Sequence, residues 1–222
     1  MPDLYDTTLD VPTPVAAALL TDRNTGHRMT MQLWDHIEST AHHGARSQIG
    51  CLWAVEPVTR PGTVLVRSTK APTRMAPWAT RQTTERTELP PAGTAVDFHV
   101  TVAAMYTPRS DVPVEWRASL KEGANGTPRP PGQGLGYRNN KVPVPAERLD
   151  EWATAKLHRL GIDGTVTASP SAAARRKNAL IHTAQLRVTA ATSNPALHDT
   201  LRDGLGTSRA YGLGLVILQP TK

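Results

Sequence analysis

Two clusters in this chain place chemistry-bearing residues at suggestive spacing. The first runs from Gly204 to Gly214: Gly204-Leu205-Gly206 and Gly212-Leu213-Gly214 enclose a five-residue loop, Thr207 to Tyr211, that carries Arg209. Glycines at both ends allow positive φ and close backbone approach, so the loop's N–H groups and Arg209 can meet a phosphate chain. Glycine pairs also end helices and open strands, which is the plainer reading of the same pattern. A dinucleotide-binding fingerprint is excluded by element order, since that motif follows a strand and opens a helix. Here a helix-like run, Pro195 to Arg202, comes first, and an apolar strand, Leu213 to Leu218, comes after. The lysine of a P-loop is also absent.

The second cluster surrounds His27, which stands one residue after Gly26 and three after Asn24, in line with Met31 and Trp34 on a predicted helix. An imidazole there can act as general acid or base; the competing reading is an ordinary helix-surface histidine. Asn24 and Arg23 stand beside it as active-site support. Further along, Arg175, Arg176 and Lys177 form the densest basic run, on a predicted loop before a strand. It reads either as a solvated turn or as a basic hairpin tip pressed into the groove of a folded RNA. Arg209 and Tyr211 can add stacking on a base, or Tyr211 can pack against Leu197 and Leu201. His42-His43 lacks further ligands at metal-binding spacing. No nucleophile elbow, zinc-protease, Walker or paired-carboxylate pattern is present. The expectation is therefore a protein without metal or other cofactor.

The charge distribution points to the same end of the chain. Net charge is +6, and residues 141–222 carry 11 Lys/Arg against 6 Asp/Glu, whereas residues 1–140 carry 14 against 13. A basic excess beside a glycine loop suits a polyanion such as RNA, whose binding is dominated by phosphate neutralisation. One cysteine, Cys51, excludes an internal disulfide; with no apolar run long enough to span a bilayer, the expected location is a reducing cytoplasm, away from membranes.

These residues need elements to hold them. Alternation and apolar runs predict strands near Leu4 to Val11, Ile49 to Glu56, Thr63 to Ser68 and Val96 to Ala104. Between the first two, Met29, Leu33 and Ile37 predict a helix capped by Thr21 or Asp22. Residues 107–140, rich in proline and glycine, read as a linker between an N-terminal domain, 1–106, and a C-terminal domain, 141–222. In the latter, Val142 to Val144 reads as a strand. Pro145 opens a helix to about Leu160 with the stripe Leu149, Trp152, Ala153, Lys156, Leu157 and Leu160. Thr165 to Ala168 and Ala179 to Thr189 read as strands, Pro195 to Arg202 as a helix, and Tyr211 to Leu218 as the last strand. The expected architecture is α+β, with two tandem ferredoxin-like domains.

Three motifs carry a family resemblance. The string from Gly204 to Gly214 resembles the C-terminal signature of the RAMP superfamily. Leu20-Thr21-Asp22 through Gly26-His27 to Leu33-Trp34 is similar to the histidine helix of that superfamily's CRISPR repeat-processing endoribonucleases, in their type I-E (CasE) form. Asn140-Lys141-Val142-Pro143-Val144, then a helix with Trp152 and a Leu160-Gly161 end, gives the third match. The resemblance implies an endoribonuclease that binds the repeat stem-loop of a precursor CRISPR RNA, cuts at its 3′ base without metal, and stays bound as a subunit of a surveillance complex (Cascade). His27 would be catalytic. Arg175, Arg176, Lys177, Gly204, Gly206, Arg209, Gly212 and Gly214 would bind RNA. The chain departs from the family in having Asn24 where members often carry a tyrosine, and in an acidic start (Asp3, Asp6, Asp10). The alternative is a hairpin-binding subunit with weak or no cleavage. A generic RNA-binding ferredoxin-like protein is disfavoured by the lack of an aromatic-rich strand motif.

Overall fold

The computed structural model describes residues 3–35, 48–56, 62–106, 142–176, 179–207 and 209–219, with the side chains of Arg175, Arg176 and Ala179 outside that set. Strand β1 (Tyr5–Asp10) leads into two short helices, α1 (Thr13–Thr21) and α2 (Arg23–Met31). Strands β2 (Leu52–Glu56), β3 (Thr63–Ser68) and β4 (Arg81–Arg86) follow. These strands form an antiparallel sheet in the order β2-β3-β1-β4. Next come β5 (Ala95–Ala103), β6 (Met105–Tyr106), β7 (Val142–Pro143), α3 (Leu149–His158), β8 (Thr165–Arg176), β9 (Ala179–Thr192), α4 (Pro195–Asp203) and β10 (Ile217–Leu218). The second sheet is β10-β5-β9-β8, again antiparallel.

From β5 to β10, leaving aside the small β6-β7 pair, the order is strand, helix, strand, strand, helix, strand, the ferredoxin-like order. The first unit has the equivalent strand arrangement, with α1 and α2 as its crossover and turns in place of a helix between β3 and β4. The α+β expectation of two ferredoxin-like units therefore stands.

The boundary between the sheets differs from expectation. It falls between β4 and β5, and the expected first strand of the second unit, Val142 to Val144, pairs only with β6. Its place is taken by β5, expected in the N-terminal half. Phe98, Val100 and Val102 of β5 share one buried core with Ala184, Leu186 and Val188 of β9. The 107–140 stretch, outside the described residues, thus interrupts the second unit in sequence. A strand's alternation says which face it buries and leaves its partner unspecified.

Asp22 explains why two helices replace the one expected. Its extended backbone ends α1, and its carboxylate accepts from the Asn24 N–H (3.0 Å) and Thr25 Oγ1 (2.5 Å), capping α2. The Thr25 hydroxyl bond, first among several contacts, holds that carboxyl below its ordinary range. Leu33 and Trp34 leave the helix yet stay buried, the indole N–H donating to the carbonyls of Lys70 and Ala71. Ile37 lies outside the described residues. Strand β4, RQTTER, has no apolar alternation to betray it. It is an edge strand, where charged side chains are usual.

One buried cation joins the two units. Arg67 of β3, 4% exposed, forks onto Asp6 of β1 (Nε–Oδ1 2.7 Å, Nη2–Oδ2 2.8 Å). Its Nη1 crosses to the second unit, donating to the carbonyls of Val216 (2.8 Å) and Leu201 (3.4 Å). The Leu201 carbonyl lies in the last turn of α4, where the helix dipole also favours a cation. Arg67→Ala leaves buried carbonyls without donors, at about 1–3 kcal/mol each. The expected loss in urea unfolding is about 2–4 kcal/mol, with Arg67→Lys recovering less than half because an ammonium cannot reproduce the fork. Wild-type midpoints for both variants would remove Arg67 from the account.

Candidate active site

The site is organised around an indole. Trp53 of β2 is fully buried, and its Nε1–H donates to the Ala210 carbonyl in the glycine loop (3.0 Å). Gly26 of α2 lies against one part of the ring: a Cβ there would stand 2.3 Å from Trp53 Cη2. Gly212 closes from the loop, where a Cβ would stand 2.8 Å from the ring, and its φ of +69° already disfavours any side chain. The indole thus fills the space between the helix bearing His27 and the end of the glycine loop. Neither glycine can acquire a side chain without displacing it.

The loop is clasped from within. Gly204, with φ +80°, ends α4 and donates to the Thr200 carbonyl (2.9 Å). Leu205 N–H reaches the Gly214 carbonyl (2.8 Å), and Gly214 N–H reaches Thr101 of β5 (2.7 Å). Leu205 and Leu213 are buried anchors. Arg209, in a single 3-10 turn (Arg209–Tyr211), donates through Nη1 to the Asp203 carbonyl at the end of α4. Gly206 faces Lys156 of α3, with a Cβ there 3.4 Å from Lys156 Cε. Tyr211 is half-buried in that turn rather than in a strand.

The β8-β9 hairpin meets the same loop. Ala174 and Ile181 pack with Leu213 and Ala103 in a small buried cluster, and both α1 and α2 touch β8. The backbone of Arg175 and Arg176 continues the strand directly from Ala174, paired with Leu180 and Ala179. Lys177 lies outside the described residues. The structure therefore brings the end of the hairpin, the glycine loop and the His27 helix to one place.

On α2, His27 is half-buried and follows Arg23 by one turn, so the two share a face. Arg23 is 5% exposed, with its guanidinium carbon 5.5 Å from the Trp53 ring centroid. Burial alone pushes its pKa down to about 10, which leaves it charged at neutral pH. The Asn24 N–H serves the cap while its side chain is half-exposed. Among the described residues no group of three His, Cys, Asp or Glu stands close enough to hold a metal ion, and no helix is long and apolar enough to cross a membrane.

Trp53 carries no sequence signal of its own. Between Leu52 and Val55 it reads as one more core side chain. The only available signal was Gly26, a glycine inside a predicted helix, which marks close approach by something large.

A family model described as CRISPR associated protein matches residues 4–220. Among solved structures the fold is similar to the CRISPR endoribonuclease Cse3 bound to 19 nt RNA, with TM-score 0.65, 17% identity, and 98% of this chain and 100% of that one covered. It is similar to Thermus thermophilus Cse3 bound to an RNA representing a pre-cleavage complex, with TM-score 0.66, 16% identity, and 98% and 100% covered. Cas6e from Escherichia coli str. K-12 gives TM-score 0.62 at 17% identity, with 98% and 100% covered. At such identities the likeness establishes the fold over the whole chain. No curated protein matches the sequence.

The Trp53 contact makes a specific energetic prediction. Gly26→Ala overpacks the indole and costs about 1–3 kcal/mol in the wild-type background. In a Trp53→Leu background, itself destabilised by loss of ring volume and of the bond to Ala210, the same alanine has room. A double-mutant cycle in urea should therefore return a coupling of roughly 1 kcal/mol or more. Simple additivity would show that the ring does not set the spacing between α2 and the loop.

Proposed function

This chain belongs to the CRISPR-associated protein family, and from that premise we propose that it is an endoribonuclease of CRISPR RNA maturation. It binds the repeat stem-loop of the precursor RNA, cleaves at the 3′ base of the stem without metal, and remains on its product as a subunit of a surveillance complex. Solved structures of the same fold include some described as the CRISPR endoribonuclease Cse3 and one described as a CRISPR RNA-guided surveillance complex. The observation that supports the reading is the Trp53 contact, which brings α2, the helix that carries the half-buried His27, against the glycine loop, with the β8-β9 hairpin touching both.

The chemistry follows from what such a site offers. In RNA the 2′-hydroxyl next to the phosphate is an intramolecular nucleophile, so the protein has only to align it. The 2′-oxygen attacks phosphorus and gives up its proton, the bond to the 5′-oxygen breaks, and that oxygen takes up a proton. The products are a 2′,3′-cyclic phosphate and a 5′-hydroxyl. His27 moves one of these protons. Arg175, Arg176, Lys177 and Arg209 hold the stem, and the backbone between Gly206 and Gly212 follows its phosphates. The sheet architecture itself is common to many functions and carries no weight here.

A second reading keeps the binding and drops the cut: a hairpin-holding subunit. Asn24 favours it, because an amide cannot act as the phenol that family members often carry at this position.

One assay separates the two. Hairpin RNA in excess EDTA should be cut once per protein by the wild type and leave the cyclic phosphate. His27→Ala should lose about 10²- to 10⁴-fold in single-turnover rate while affinity stays within a few-fold. Replacing the 2′-hydroxyl upstream of the cut by hydrogen should stop cleavage and spare binding. Tight binding without any cutting by the wild type would select the second reading; a requirement for Mg²⁺ would overturn the mechanism.

A further inference from the structure

Among the described residues, Arg23 is a buried cation that the fold leaves without a counter-charge. It is 5% exposed, and among the described residues its Nε has no hydrogen-bond partner and no carboxylate pairs with it, while burial lowers its pKa. Its guanidinium carbon lies over the face of Trp53, 5.5 Å from the ring centroid. The contrast with Arg67 is direct: that guanidinium, equally buried, is matched by a carboxylate and two carbonyls. A buried charge with a donor left unused is costly. A fold retains it most readily where an anion completes the site.

The position says which anion. One Arg23 Nη1 lies against Gly212, where a Cβ would approach it to 2.9 Å. One turn away on the same helix face is His27, with about 5–6 Å between Cβ atoms at this spacing. Arg23 is therefore held by Trp53 at the junction of the helix that carries the proposed proton-transfer group and the glycine loop.

We infer that Arg23 binds a non-bridging oxygen of the scissile RNA phosphate and stabilises the negative charge that builds there as the 2′-oxygen attacks. This rests on the endoribonuclease reading above. A guanidinium in a water-poor setting, already oriented on an indole face, donates to a phosphate oxygen without reorganising during the reaction. It supplies charge stabilisation and moves no proton, so His27 keeps that role.

The test uses the full-length protein in EDTA, at saturating concentration over hairpin RNA, with each diastereomer of a phosphorothioate at the cleavage site. Arg23→Met keeps an unbranched stem against Trp53 and removes the donors. Its single-turnover rate should fall about 10²- to 10³-fold while hairpin affinity changes only a few-fold, and Arg23→Lys should recover part of the rate. In the wild type one diastereomer should be cut more slowly than the other, and Arg23→Met should cut both equally. A structural role for Arg23 would slow both and leave their ratio unchanged, and that result overturns the proposal. If Arg23→Met fails to fold by circular dichroism, the ratio in Arg23→Lys decides: a reduced ratio supports the contact and an unchanged one removes it. Loss of cleavage in His27→Ala together with wild-type behaviour of the Arg23 variants sinks this inference alone. A wild type that does not cut takes the endoribonuclease reading with it.

Discussion

Everything proposed for this protein depends on the indole of Trp53 having glycine on two sides. The ring belongs to the first sheet, Gly26 to the helix above it, and Gly212 to a loop that is more than 150 residues away in sequence and hydrogen-bonded to the second sheet. A buried aromatic ring contributes a large hydrophobic term, but here its geometry matters more than its area. By excluding side chains at Gly26 and Gly212 it sets how near the helix and the loop can come. The Nε1–H bond to Ala210 fixes the loop's rotation about that contact. His27 and Arg23 derive their positions from the same ring.

Further links between the units lie on the adjacent strands β2 and β3. Arg67 ties Asp6 to the carbonyls of Leu201 and Val216, and Leu52 lies so near Gly204 that a Cβ there would be 2.9 Å from its Cδ2. These contacts hold the end of α4, and so the start of the glycine loop, while Trp53 holds the loop's far end. The hairpin then closes on the loop through Ala174, Ile181 and Leu213. A loop fastened at both ends can present its middle to a ligand with little ordering left to do on binding, which is the physical meaning of a preorganised site.

Much of this was legible in the sequence where the signal is local. Asp22 as a cap, the Pro195 helix ended by Gly204, the α+β order and the glycine clasp all follow from propensities acting over a few residues, and the structure has each of them. Pairing was not legible. Sequence order groups strand β5 with its N-terminal neighbours, whereas its backbone pairs with β9 and β10, because partner choice is a property of two distant segments together. Strand β4 escaped because an exposed edge strand needs no apolar alternation, and β8 was read short because Pro170, tolerated on an edge, breaks the expected pattern. The site divides in the same way. His27 and the glycines stood out by type and spacing, whereas Trp53 and the unmatched charge of Arg23 become meaningful only once three segments meet.

The central claim is that the phosphate to be cut sits where α2 and the glycine loop meet over Trp53. The most direct measurement is a crystal structure of the protein with a repeat hairpin made uncleavable by a single 2′-deoxy substitution. The phosphate 3′ of that sugar should lie within hydrogen-bond distance of both the His27 imidazole and the Arg23 guanidinium, with the Trp53 ring unmoved between Gly26 and Gly212. A stem bound elsewhere, with that phosphate remote from His27 and Arg23, would contradict it.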